Sequence, residues 1–173
     1  MLAAAAMLPL AAVSGCGGVD VLDAPPSRAP DVIMLGEAIA AEQLLIRWYT
    51  AVLRDAGNAG GSPGGLTAVL EPMLAEHREH LSQLKSRLVI PVGCAASPSP
   101  TRRAAKPAGP GAGSAGVAFL RDAEQAAAAA MLDRLRSAPG SLAQLYASIS
   151  ASEATHVPVL DAAAAGTTSQ VTG

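Results

Sequence analysis

Only a few side chains in this protein can do chemistry, and their spacing is helical. Among 173 residues there are three histidines. His77 and His80 stand three apart, as do Glu153 and His156, a spacing that stacks the two members of each pair on one side of a helix. Imidazole and carboxylate are the ordinary ligands of divalent transition metals. Buried in an apolar seam they cost several kcal/mol unless they are paired, protonated or metal-bound.

Helical periodicity decides which acids share the seam. On segment two, Leu66, Val69, Leu70, Met73, Leu74, Leu81, Leu84 and Leu88 form an apolar stripe with His77 at its centre and His80 near its edge. Glu79 falls opposite and Glu76 at the flank, so both read as solvated charges. On segment four, Leu142, Leu145, Tyr146, Ile149, Val157 and Leu160 form a stripe that includes Glu153 and His156. The two stripes repeat at a constant offset of 76 residues, pairing Leu70 with Tyr146, His77 with Glu153 and His80 with His156. Segments one and three add one inward acid each: Glu42 among Leu35, Ala38, Leu45, Tyr49 and Val52, and Glu124 among Val117, Leu120, Ala127, Met131 and Leu135. Three acids and all three histidines therefore map to one seam. Tyr49 and Tyr146 read as core packing. Trp48, on another face, reads as a packing residue or part of a subunit interface, which leaves a homodimer open.

The elements that carry these residues are helices. Half of the residues are hydrophobic, 2% are aromatic and 15% are charged. So few aromatics argue against a β-sandwich or a base-stacking surface and favour alanine-rich helix. Twelve basic against fourteen acidic residues, a net charge of −2, imply no nucleic-acid partner. Two cysteines exclude a disulfide-dense scaffold. Segment one runs from Asp31, as N-cap, to Leu53. Segment two starts at Gly65, or at Pro72 if that proline marks the first turn, and ends near Leu88. Residues 91–113 are rich in Pro, Gly, Ser and Ala and form a long, mobile crossover. Segment three covers Ser114 to Arg136 and segment four Ser141 to Val157, so the bundle spans 31–163 and a disordered tail 164–173.

The first fifteen residues read as a signal segment: an apolar run ending in Val13-Ser14-Gly15-Cys16 is too short to span a bilayer as a mature helix. This ending resembles a bacterial lipobox, although no Lys or Arg precedes Cys16. The resemblance implies lipidation of Cys16, a disordered tether over 16–30, and an exported protein anchored through its lipid to the outer face of the bacterial cell membrane. Cys94, in the crossover, reads as a free thiol.

The whole constellation resembles the ferritin-like di-metal carboxylate superfamily. There, two helices give one Glu each and two give Glu-x-x-His, all pointing inward. Glu42 and Glu124 match the single-Glu positions and Glu153-Ala154-Thr155-His156 matches Glu-x-x-His, whereas His77-Arg78-Glu79-His80 has His where Glu is expected. The phrases Ala41-Glu42-Gln43, Ala75 to His80 and Ser148 to His156 are similar to an uncharacterised ferritin-like domain of bacterial lipoproteins. The resemblance implies an all-α, ferritin-like four-helix bundle with a long crossover between helices two and three. It also implies iron or manganese held by Glu42, His77, His80, Glu124, Glu153 and His156. With His77 in place of a carboxylate, three acids face the four charges of two divalent ions, so a single ion, or zinc or copper, also fits. Two functions follow: a metalloprotein of the cell envelope, with an oxidoreductase activity open, and a metal-free helical scaffold that serves as an interaction module there.

Overall fold

The computed structural model describes residues 29–58, 64–88, 109–111 and 113–169. The signal segment, Cys16, nearly all of the tether, Cys94 and most of the crossover lie outside the described residues. Those described are all-α, with four helices and no strand: α1 (Pro30–Asn58), α2 (Gly64–Arg87), α3 (Ser114–Arg134) and α4 (Gly140–Ser169). None of these helices is long and apolar enough to cross a membrane.

Several bounds differ from the sequence reading, among them the end of α1, at Asn58 instead of Leu53, and that of α3, at Arg134 instead of Arg136. Helix α1 begins one residue before Asp31, at Pro30, whose fixed φ suits a first helical position. Asp31 then lies in the first turn, where a carboxylate meets the positive end of the helix dipole. Helix α2 starts at Gly64 and runs through Pro72. Helix α4 passes Pro158 and continues to Ser169, so residues 164–169 are helical and not part of a disordered tail. A proline inside a helix removes one hydrogen bond. The turns beyond Pro158 are held by packing: Leu160 is fully buried, and Ala163 and Ala164 pack against the apolar cluster that Leu160 belongs to.

The apolar stripes assemble into two clusters. One joins Leu35 and Ala38 of α1 to Leu84 of α2, Met131 of α3, and Leu142, Tyr146 and Ile149 of α4. The other joins Tyr49 and Val52 to Leu70, Met73 and Leu74, to Val117 and Leu120, and to Leu160. Each such buried side chain contributes about 1.5–3 kcal/mol of transfer free energy. The start of α1 thus lies with the end of α2, the end of α3 and the start of α4. Helices α1 and α2 are therefore antiparallel, as are α3 and α4, while α2 and α3 point the same way. Backbones meet along α1–α2, α3–α4, α1–α3 and α2–α4, which leaves α2 and α3 diagonal. Helix α2 is about 36 Å long at 1.5 Å per residue, so the chain leaving α2 has to return the length of the bundle to begin α3. Only a long connection can do that.

Where α1 meets α3 the fit is tight. A Cβ on Gly116 would clash with the Gly111 carbonyl oxygen and press on Val52, so the glycine permits the contact.

Candidate metal centre

Between the two apolar clusters lies a polar layer. Every helix contributes to it at the level where its stripe changes from one cluster to the other: Glu42 between Ile39 and Leu45, His77 and His80 between Leu74 and Leu84, Glu124 between Leu120 and Met131, and Glu153 and His156 between Ile149 and Leu160. All six residues singled out from the sequence are buried, with Glu42, His77, Glu124 and Glu153 wholly enclosed.

His77 is the hub. Its Nδ1–H donates to Glu42 Oε2 at 2.9 Å and its Nε2–H to Glu124 Oε1 at 2.7 Å. Neutral imidazole has one N–H, so two carboxylate acceptors call for the imidazolium. The electrostatics agree. Burial opposes the charge on His77, but the hydrogen bonds and charges of Glu124 and Glu42 outweigh it and push the imidazole up to about 10. Glu124, which burial alone would raise, is held at about 2 by His156, His77 and Tyr49. Glu42 is lowered in the same way: burial raises it, and the hydrogen bond from His77 and the proximity of His80 more than offset that.

The other two histidines flank the hub, with ring centroids 5.9 Å (His80) and 5.4 Å (His156) from that of His77. His80 Nδ1 lies 3.4 Å from Glu42 Oε1, and His156 Nδ1 lies 3.3 Å from Glu124 Oε1. These pairs are close enough to feel each other's charge, yet neither Nδ1 makes a hydrogen bond. Two ligand triads result, Glu42/His77/His80 and His77/Glu124/His156, whose ligand atoms lie within 4.8 Å of one another. Glu153 belongs to neither. Burial first, then the charges of Glu42 and Glu124, push its carboxyl up to about 9, so at neutral pH it is protonated in the metal-free fold.

These residues can hold a metal ion. Glu42 Oε1, Glu124 Oε2, both Glu153 oxygens, His80 Nδ1 and His156 Nδ1 are buried without hydrogen-bond partners. Each such atom costs about 1–3 kcal/mol if left unsatisfied, and each is a coordinating atom type. Glu124 shows the imbalance most clearly. Its Oε1 accepts from both His77 and Tyr49 while its Oε2 accepts from nothing.

Two participants differ from the sequence reading. Glu76 is not simply a solvated charge. Its Oε2 accepts from His156 Nε2–H at 3.0 Å and from Ser152 Oγ–H at 2.8 Å, with its side chain half exposed at the rim. The repeat contained the signal, because Glu76 and Ser152 are themselves 76 residues apart. Tyr49 packs in the core as expected, but its hydroxyl also donates to Glu124 and neighbours Met73 Sδ. Burial, then the Glu124 charge, raises that phenol well above its usual range. Trp48 stacks edge-on against Phe119, centroids 5.0 Å apart, and packs against the second cluster. Glu79 is exposed, as expected.

No protein-family model matches the chain, and no curated protein or solved structure is similar enough to count as a match. The functional reading therefore rests on the residues themselves.

Proposed function

We propose that the protein is a ferritin-like metalloprotein of the bacterial cell envelope, in which Glu42, His77, His80, Glu124, Glu153 and His156 hold transition-metal ions. The observation that carries the reading is the pair of buried triads from all four helices, with coordinating atoms that no hydrogen bond satisfies. The antiparallel pairs and the diagonal α2 and α3 support the ferritin-like connectivity. Iron and manganese follow from the family resemblance; zinc and copper follow from a donor set with three imidazoles. Redox turnover would be a further step beyond binding.

Adding the right ion to metal-free protein should raise its melting temperature. Ligand at a hundredfold excess over Kd contributes about 2.7 kcal/mol. Chelation should reverse the gain, and His80→Ala with His156→Ala should abolish it. Differential scanning fluorimetry with iron, manganese, zinc and copper in turn measures this. If none of the four shifts wild type, the metal reading fails. The scaffold reading would then take its place, supported by the closed network in which His77 imidazolium joins Glu42 and Glu124.

We place the protein at the membrane through a lipid on Cys16. Metabolic labelling with a fatty-acid probe should mark the wild type, and Cys16→Ser should lose the label. An intact Met1 on the mature protein would contradict the anchor.

A further inference from the structure

We propose that His77 bridges two metal ions, Nδ1 holding one together with Glu42 and His80, and Nε2 holding the other together with Glu124 and His156. The inference rests on the metal-binding reading and specifies its centre.

The two triads share one residue, His77, and its two nitrogens face opposite ways. Nδ1 lies against Glu42, the acid that His80 approaches, and Nε2 against Glu124, the acid that His156 approaches. One donor pair in each half already has ligand spacing, while His77 stands at the shorter hydrogen-bond distances of 2.9 Å and 2.7 Å. Bonds of about 2.0–2.1 Å at tetrahedral angles put neighbouring donors about 3.3 Å apart, close to the 3.4 Å and 3.3 Å of the two histidine–carboxylate pairs. These are the pairs whose nitrogens make no hydrogen bond. On the His156 side the tautomer is set as well. Nε2–H donates to Glu76, so Nδ1 keeps its lone pair for the ion, a carboxylate–histidine–metal arrangement.

The α2 and α4 members of the halves are related by the internal repeat. His80 and His156 are equivalent positions, and Glu76 touches Ser152, its own equivalent, which places the twofold relation between α2 and α4 at this level. His77 stands between the halves, and its equivalent is Glu153.

Charge gives an independent reason. Three buried carboxylates, counting Glu153 only once it gives up its proton to solvent as the ions bind, leave two divalent ions one negative charge short. Imidazole bound at both nitrogens is imidazolate, and it supplies the fourth. Starting from imidazolium, His77 gives up two protons to solvent as the two ions bind. The residue that departs from the Glu-x-x-His pattern thus replaces a bridging carboxylate by a bridging ring. The ions then lie farther apart than the roughly 3.5–4 Å of a two-metal hydrolytic site, and two imidazoles beside one carboxylate in each half favour copper and zinc.

Copper(II) tests this in the metal-free full-length chain, with bound metal counted by elemental analysis and followed by electron paramagnetic resonance. Wild type should bind two ions. Its signal should grow over the first equivalent and fall over the second, as the two spins couple through the ring. Filling one half with zinc first should leave an uncoupled copper signal. His77→Gln should remove the coupling. Two ions with additive signals in wild type, or a single ion, would overturn the bridge while leaving the metal site in place. No binding of copper, zinc, iron or manganese would overturn both. Copper retained in full by the His80→Ala, His156→Ala protein would mark it as adventitious and overturn the assignment.

Discussion

Replacing His77 by alanine is expected to destabilise the metal-free protein by about 3–5 kcal/mol at pH 7, the usual cost of removing one partner from a buried ion pair. Whole domains are stable by only about 5–15 kcal/mol, so the variant should stand near unfolding. The loss is mainly electrostatic. His77 is the cation between Glu42 and Glu124, both wholly buried, and without it two like charges face each other shielded from water. Urea denaturation of wild type and variant in the presence of chelator measures the difference. Glu79→Ala, on the exposed face of the same helix, serves as control and should stay within about 0.5 kcal/mol. A loss below about 1 kcal/mol for His77→Ala would show that the imidazolium does not neutralise the pair.

Glu153→Gln should act in the opposite direction and stabilise the metal-free protein by about 1–3 kcal/mol at pH 7. Glu153 titrates at about 9 in the fold against 4.5 for an ordinary Glu. Between those values the folded state holds a proton that the unfolded chain has released, so its contribution to stability falls as pH rises through that window. Glutamine has no proton to release and escapes the penalty. His77 adds a second alkaline loss: its folded value of about 10 lies above 6.5, so its stabilisation is complete below 6.5 and fades as pH approaches 10. For His156, burial opposes the charge, but Glu124 and Glu76 outweigh it and raise the imidazole above its ordinary value, which adds to the loss just above pH 6.5. Wild type should therefore weaken from pH 6.5 to 9 with a slope of at least two protons, each about 1.4 kcal/mol per pH unit. Glu153→Gln should lower that slope by about one proton. The same variant should gain less from added metal, because one negative charge near the ions is gone. A Glu153→Gln protein less stable than wild type at pH 8 without metal would show that the carboxyl is not held protonated. An acid that destabilises the fold without metal and assists with it is the stability–activity trade-off expected of a binding site.

Most of the burial pattern was legible in the sequence. Helical periodicity assigns each residue an angle about its own axis, and that angle alone placed Glu42, His77, His80, Glu124, Glu153 and His156 inside and Glu79 outside. The 76-residue repeat and the short, long, short order of connections likewise need no coordinates, because they are properties of the chain. Tertiary structure decided everything that depends on where one helix stands along another. It joined both nitrogens of His77 to carboxylates of two different helices, left Glu153 outside the triads, and brought Glu76 from the flank onto His156. It also carried α4 past Pro158, because the burial of Leu160 in a cluster shared by all four helices outweighs one missing backbone hydrogen bond. Sequence spacing determines the face a residue occupies. Its partner depends on the axial register of packed helices and on side-chain rotamers, and both are set by how the two apolar clusters interlock across all four helices.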